Sequence, residues 1–168
     1  MIEIRSLQPG DADGFWRFLN ELDSETEYMM YEPGERAQCS SPESTAARLR
    51  GALAQGSDLL LGAFDAGHPV GYLWAERGAL RRVAHTAYIV TGILAAYRGR
   101  GIGTAFFERL DDWARTSGLS RLELTVECTN EAAIRLYRRS GCAVEGVRRK
   151  SMRVDGAFVD EYYMGKMV

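Results

Sequence analysis

Hydrophobic residues recur along the first half of the chain at two different spacings. Alternate apolar positions predict strands, and apolar positions three or four residues apart predict the buried face of a helix. The predicted elements are a strand at 2–5, a helix carrying Phe15, Phe18, Leu19 and Leu22, a helix from Ser41-Pro42 to Gly56, and strands at 58–64 and 70–75. An acidic and aromatic segment, Glu21 to Tyr31, is expected between the two helices.

The second half of the chain alternates strands with helices and ends in a hairpin. Its predicted elements are a strand at 85–94, a helix from Thr104 to Gly118 with Phe106, Leu110, Trp113 and Ala114 on one face, a strand at 122–126, a helix from Asn130 to Gly141, and strands at 144–154 and 158–167. Asp155-Gly156, between the last two strands, is a pair that tight hairpin turns prefer. Since no linker or repeat interrupts this order, one domain over residues 1–168 is expected.

Composition narrows the functional classes. The 168 residues include 21 basic and 23 acidic side chains, and this balance argues against a nucleic-acid or anionic-membrane partner. Cys39, Cys128 and Cys142 are widely spaced, so neither a disulfide framework nor a metal site is predicted. The N-terminus has no signal-peptide pattern, and no apolar run approaches the length of a membrane span. We therefore expect a soluble protein of the reducing cytoplasm.

A glycine-rich turn, Arg98 to Thr104, joins a β-branched stretch to an amphipathic helix. Alternate glycines let backbone N–H groups converge on an anion at the positive end of the helix. A nucleotide P-loop would need a lysine here, and a dinucleotide fingerprint would need a further glycine at Thr104 or Phe106. Two interpretations remain. One is a turn that binds the pyrophosphate of coenzyme A, and the other is a glycine-rich turn without a ligand.

Two motifs at a set separation favour the coenzyme A turn. The first motif has Gln or Arg at its first position, Gly at its fourth, and Gly or Ala at its sixth. Arg98, Gly101 and Gly103 fit this spacing. The segment from Asn130 to Gly141 follows after one strand. This pairing resembles the GNAT superfamily of acyl-CoA-dependent N-acetyltransferases, closely from Val90 to Val168. The closing hairpin is similar to that of members that acetylate amino acids, protein N-termini or small amines.

The resemblance implies both a fold and a cofactor. The expected fold is α/β (α+β), with a mixed, largely antiparallel sheet of about seven strands flanked by about four helices and splayed between the fourth and fifth strands. The implied cofactor is acetyl-CoA, with its pantetheine arm along the fourth strand and a backbone N–H of Ile93 or Leu94 near the acetyl oxygen. The implied cofactor-binding residues are Thr91, Ile93, Leu94, Arg98, Gly99, Arg100, Gly101, Ile102, Gly103, Thr104, Asn130, Ala133 and Tyr137.

Acetyl transfer from a thioester to an amine needs one group that gives a proton and one that takes a proton. The resemblance makes Tyr137 the acid that protonates the departing thiolate, against the alternative of an aromatic that packs on Ala133. Some relatives use a glutamate as base at the position of Thr125 in this sequence. Glu123 and Glu127 lie on the same side of the strand and become the candidate bases, against the alternative of solvated surface acids.

Other candidates for these proton transfers are weaker. Glu76 is more typical of a solvated acid and His85 of a structural residue, and a chain of ordered water could replace any single base. Cys128 and Cys142 have no identifiable partner for nucleophilic catalysis, so they are interpreted as core or surface residues.

The acidic and aromatic segment suggests the acceptor. In the resembled fold it borders the acceptor groove, so Glu25, Glu27, Tyr28 and Tyr31 are expected to favour a cationic amine, unless the segment is a solvated loop. The predicted function is acetyl transfer from acetyl-CoA to a primary amine of a small molecule, an amino acid or a protein N-terminus, by direct attack in a ternary complex. The alternative is a catalytically weak acyl-CoA-binding or sensing module. A homodimer is left open.

Overall fold

The computed structural model describes residues 1–168, which form seven strands and five α-helices. In chain order these are β1 (Ile2–Ser6), α1 (Ala12–Glu25), α2 (Glu35–Cys39), α3 (Pro42–Gln55), β2 (Leu59–Asp65), β3 (His68–Arg77), β4 (Thr86–Ile93), α4 (Ile102–Thr116), β5 (Arg121–Glu127), α5 (Glu131–Arg139), β6 (Ala143–Val154) and β7 (Ala157–Met167). Short 3₁₀ turns lie at Pro9–Asp11 and Ala95–Tyr97. None of the helices combines the length and apolar character that crossing a bilayer requires.

The seven strands form one hydrogen-bonded sheet in the order β1-β2-β3-β4-β5-β7-β6. Neighbouring strands run antiparallel between β1 and β2, β2 and β3, β5 and β7, and β7 and β6. β4 and β5 are parallel, and their register covers only Thr86–Tyr88 against Arg121–Glu123. This mixed, largely antiparallel sheet with a short β4–β5 pairing confirms the predicted fold class.

Contacts divide the chain into two compact units. The first unit comprises Met1–Glu76 and Val90–Ile102. Its core includes Phe15 and Phe18 of α1, whose rings lie 5.5 and 5.9 Å from the ring of Tyr72 in β3. α1 also packs against α3. The apolar face that predicted α1 from the sequence is therefore the face that it buries.

The second unit comprises Arg77–Ile89 and Gly103–Val168. Its core is formed by apolar side chains of α4, α5, β5 and β7: Phe106, Phe107, Leu110, Ala114, Leu122, Leu124, Ile134 and Met164. The predicted stripe on α4 is confirmed at Phe106, Leu110 and Ala114, whereas Trp113 is only half-buried.

Two hairpin turns have left-handed backbone, and the sequence predicted a tight turn at one of them. Asp155 and Gly156 have φ values of 47° and 83°, as a type I′ turn requires, so the predicted closing hairpin is confirmed. The turn between β2 and β3 is equally tight, with φ values of 47° at Ala66 and 82° at Gly67. In both cases the register of two strands follows from a two-residue connection.

The expected boundaries of the segment between the first two predicted helices are wrong. α1 continues to Glu25, so the acidic residues from Glu21 onward begin inside a helix. The five-residue helix α2 also lies in this connection, and the apolar pattern did not predict it because Arg36 is its only buried residue. The start of α3 is as predicted, since the Ser41 side chain accepts a hydrogen bond from the Ser44 N–H.

Candidate active site

The glycine-rich turn has the backbone that an anion at a helix N-terminus needs. Gly99 and Gly101 have φ values of 73° and 82°, and a Cβ added at either would meet no atom within 4 Å. These positions therefore need glycine for the left-handed conformation rather than for lack of space. α4 begins at Ile102, and the N–H groups of its first turn have no acceptor within the helix.

Gly103 serves a different purpose from the other two glycines. A Cβ at Gly103 would lie 2.7 Å from Cδ2 of Leu136 on α5. The missing side chain thus lets α5 approach the first turn of α4. Gly103 was predicted from its spacing as a cofactor residue; that role stays a prediction, and helix packing already accounts for the glycine.

The two arginines of the turn have contacts of their own. The Arg98 Nε donates to the carbonyl oxygen of Ile93 over 2.9 Å, which fastens the turn to the end of β4. The Arg100 guanidinium lies 4.9 Å from the ring centroid of Tyr97. Both arginines are exposed, so their remaining N–H groups can still face an anion.

The end of β4 is held by hydrogen bonds to β3. The Leu94 N–H donates to the carbonyl of Val70 over 3.0 Å, and the Thr91 hydroxyl donates to the carbonyl of Tyr72 over 2.7 Å. Of the two N–H groups expected near the acetyl oxygen, that of Leu94 is already engaged. Contacts of Thr91, Ile93 and Leu94 with pantetheine stay predictions.

Tyr137 is buried on α5, with 8% of its surface exposed. Its ring centroid lies 5.5 Å from that of Phe107 on α4, at an interplanar angle of 47°. The ring is therefore part of the core of the second unit, as the packing alternative required. An aromatic ring can pack in this way while its hydroxyl acts on a ligand, so the role of general acid stays a prediction.

Asn130 caps α5. Its Oδ1 accepts a hydrogen bond from the Ala133 N–H over 3.2 Å, which fixes one of the N–H groups that a helix start leaves without a partner. The predicted start of this helix at Asn130 is thus confirmed. Direct contacts of Asn130 and Ala133 with a cofactor stay predictions.

The three polar positions expected on one side of β5 have different surroundings. Oε2 of Glu123 accepts from the Nε of Arg121 over 2.7 Å at a half-buried position. The hydroxyls of Thr125 and Tyr88 are hydrogen-bonded over 2.8 Å. Glu127 is only 4% exposed, so the alternative of a solvated surface acid is wrong for this residue. Either glutamate as base stays a prediction.

Two exposed residues and two cysteine thiols remain as candidates for proton transfer and nucleophilic catalysis. Glu76 and His85 are both exposed. Burial raises the pKa of the Cys142 thiol to about 11 and also raises the pKa of Cys128. Both cysteines are therefore thiols at neutral pH, which agrees with their interpretation as core or surface residues.

Contacts within the first unit occupy part of the expected acceptor segment. Oε2 of Glu25 accepts from the Ala95 N–H over 2.8 Å, and the ring of Tyr31 lies 4.2 Å from the Arg36 guanidinium. Arg36 also forms a buried ion pair with Asp23, with a shortest distance of 2.6 Å. Sequence reasoning missed this pair, because 13 residues separate its members and no local pattern joins them.

Glu27 and Tyr28 are exposed, as Glu25 is, whereas Tyr31 is half-buried. The backbone N–H of Tyr28 donates to the Thr26 hydroxyl over 3.2 Å, which shapes the chain just after α1. A role of these four side chains in acceptor binding stays a prediction.

Two curated relatives are similar over part of their length. The chain is 31% identical over 105 residues to the L-amino acid N-acetyltransferase AaaT of Escherichia coli, covering 60% of this chain and 63% of that protein. It is 41% identical over 106 residues to the N-alpha-acetyltransferase RimI of Mycobacterium tuberculosis, covering 62% and 63%. The chain thus spans less than two thirds of the length of either relative.

Solved structures match over nearly the whole chain. The acetyltransferase of the GNAT family from Streptococcus pneumoniae has a TM-score of 0.93 and 29% identity, covering 100% of this chain and 99% of that one. The structure of yncA from Salmonella typhimurium with its cofactor acetyl-CoA has a TM-score of 0.86 at 20% identity, a likeness of fold, covering 99% and 94%. The family model described as "Acetyltransferase (GNAT) family" matches residues 16–142. The chain therefore belongs to the GNAT acetyltransferase family.

Proposed function

We propose that this chain transfers an acetyl group from acetyl-CoA to a primary amine by direct attack in a ternary complex. The observation that carries the proposal is the turn before α4, where left-handed Gly99 and Gly101 lead into a helix N-terminus. Membership of an acetyltransferase family and the names of AaaT and RimI support the same reaction. A single domain over residues 1–168 is part of the proposal.

The turn fits the pyrophosphate of the cofactor. The N–H groups at the start of α4 offer a positive dipole end, and Arg98 and Arg100 add charge from exposed positions. The open space beside Gly99 and Gly101 lets an anion approach the backbone. When bound there, acetyl-CoA supplies the thioester that the amine attacks.

Residues of the second unit carry out two proton transfers. Tyr137 gives its hydroxyl proton to the departing thiolate, at a cost of roughly 2 kcal/mol from the ordinary pKa values of a phenol and a thiol. Glu123, Glu127 or an ordered water takes the proton from the acceptor ammonium. No covalent enzyme intermediate is needed, so Cys128 and Cys142 have no role in the reaction.

The acceptor is a small-molecule amine, an amino acid or the N-terminus of a peptide, with Glu25, Glu27, Tyr28 and Tyr31 beside it. The three cysteines are free, which fits a location in the cytoplasm. A homodimer and the absence of a nucleic-acid partner stay predictions, which sedimentation and electrophoretic shift measurements check.

The decisive experiment measures release of free thiol from acetyl-CoA in the presence of amino acids, polyamines, aminoglycosides and peptides, with mass spectrometry of the products. Thiol release together with an acetylated amine supports the enzyme. Binding of acetyl-CoA without turnover on any amine would instead support the alternative, a catalytically weak acyl-CoA-binding module.

A further inference from the structure

We propose that Glu25 positions the backbone that binds acetyl-CoA, by holding the start of the 3₁₀ turn at Ala95–Tyr97. This inference rests on the proposed acetyl transfer and adds a positioning residue to it. Oε2 of Glu25 accepts a hydrogen bond from the Ala95 N–H over 2.8 Å, although 70 residues separate the two along the chain. Both residues belong to the first unit. The contact therefore joins the last residue of α1 to the chain that follows β4, within one compact unit.

The 3₁₀ turn has no cap of its own. Leu94 precedes its first residue and contributes no side-chain hydrogen bond to it. The first N–H groups of a helical turn have no acceptor within that turn, so the acceptor comes from another part of the protein or from water. Glu25 provides a charged oxygen, and hydrogen bonds to a charged group are roughly twice as strong as those between neutral groups. The carboxylate at the end of α1 thus replaces the missing cap.

The 3₁₀ turn lies between the two segments that acetyl-CoA is proposed to contact. Ile93 and Leu94 precede it, and Arg98 and the left-handed glycines follow it directly. Because the turn is three residues long, a displacement of Ala95 is passed on to both segments. A backbone that is already held in its binding conformation loses less freedom when the ligand binds. The contact with Glu25 should therefore increase the affinity for the cofactor without touching it.

Other side chains hold the far end of the same connection. The Tyr97 hydroxyl donates to Oδ2 of Asp65 over 3.1 Å, and the Nε of Arg98 donates to the carbonyl oxygen of Ile93 over 2.9 Å. Neither contact involves the first residue of the 3₁₀ turn. The start of the turn therefore depends on Glu25, whereas its end keeps two anchors when Glu25 is replaced.

Glu21 is the matched comparison for Glu25. It lies one helical turn earlier on α1 and is exposed as Glu25 is. The hydrogen bond to Asp65 raises the pKa of Tyr97, and the charge of Glu21 adds to this rise, so Glu21 also lies near the 3₁₀ turn. Removal of either carboxylate takes a negative charge away from the site of an anionic pyrophosphate, which by itself strengthens binding. Only at Glu25 does the change also remove a hydrogen bond to the turn.

The experiment measures the Kd of coenzyme A by calorimetry, without turnover. Glu25→Ala should raise Kd by about 3- to 10-fold, the effect of one lost hydrogen bond, whereas Glu21→Ala should leave Kd unchanged or lower it. Glu25→Gln keeps a carbonyl oxygen that can accept from the Ala95 N–H, so it should bind more tightly than Glu25→Ala. A Kd for Glu25→Ala at or below the wild-type value would overturn the inference, as would a Glu25→Gln variant no better than Glu25→Ala.

Kinetics separates this role from the acceptor contact that is also proposed for Glu25. In Glu25→Ala the KM for acetyl-CoA should rise more than the KM for the amine. A rise in the amine KM with an unchanged Kd for coenzyme A would assign Glu25 to the acceptor and overturn the inference.

Hydrogen exchange in the ligand-free protein tests the turn without any reaction. The N–H groups of Tyr97 and Arg98, which donate to the carbonyls of Leu94 and Ala95, should exchange faster in Glu25→Ala than in Glu21→Ala. Equal exchange rates would contradict the inference. Absence of thiol release with every amine, while these differences persist, would count against the proposed reaction alone.

Discussion

The hydroxyl groups of Tyr88 on β4 and Thr125 on β5 are hydrogen-bonded over 2.8 Å. Tyr88 and Glu123 are the last residues that the two strands hold in register, and Thr125 lies two residues further along β5. Thr125 also occupies the position at which some relatives are expected to carry a glutamate base. Because this position holds a neutral hydroxyl pair, Thr125 itself is not a carboxylate base, and Glu123 or Glu127 as base stays a prediction.

The hydroxyl pair should stabilise the second unit by a small amount. Tyr88→Phe and Thr125→Val should each lower the free energy of unfolding by roughly 0.5–1.5 kcal/mol, and the double variant should cost little more than either single variant, since both remove one hydrogen bond. Denaturant unfolding measures all three variants. Costs that simply add would mean that the two hydroxyls act independently.

Acetyl-CoA should stabilise the fold. A ligand that binds only the native state adds about 2.7 kcal/mol to the free energy of unfolding at 100 times its Kd, and NAD or ATP should add much less. Gly101→Ala should weaken this effect, because a side chain raises the energy of the left-handed conformation by roughly 1–2 kcal/mol.

Gly101→Asn is the matched control for that experiment, because asparagine tolerates the left-handed region better than alanine does. It should retain more of the stabilisation by acetyl-CoA. Thermal unfolding with and without each ligand measures both variants, and equal shifts with NAD and acetyl-CoA would contradict the assignment of the turn.

The contact between Gly103 and Leu136 should appear as a coupling energy. Gly103→Ala should be less favourable than Gly51→Ala by roughly 0.5–3 kcal/mol, because a Cβ at Gly51, also in a helix, meets no atom within 4 Å. In a Leu136→Ala background the difference should shrink, since the methyl group that the new Cβ would meet is gone. A difference that persists in this background would show that another neighbour restricts Gly103.

Tyr137→Phe separates the chemistry of the hydroxyl from the packing of the ring. The ring contact with Phe107 is kept, so any change in melting temperature reports the hydroxyl and not the packing of the ring. The loss of a general acid should lower kcat by roughly 10²- to 10⁴-fold, with the affinity for acetyl-CoA nearly unchanged. Steady-state kinetics and calorimetry measure the two effects. A variant that turns over at the wild-type rate would leave Tyr137 as a packing residue only.

The sequence by itself determined the glycine-rich turn and every element except the short helix α2. Helix faces, strand alternation and two-residue turns such as Asp155-Gly156 depend on residues close together in the chain, because local backbone preferences and side-chain period set them. The Ser41 cap of α3 and the left-handed glycines at Gly99 and Gly101 are of the same kind. The two motifs that indicated the family are also local.

Only the tertiary structure decided which distant residues meet. Gly103 lies against the side chain of Leu136, and Arg121 forms ion pairs with both Glu123 and Glu145. The buried pair of Asp23 and Arg36 is likewise set by packing. In each case the side chains alone would be equally compatible with exposure to water. The folded chain selects particular partners, because a close approach or an unpaired charge becomes costly only after the faces of helices and strands have packed together.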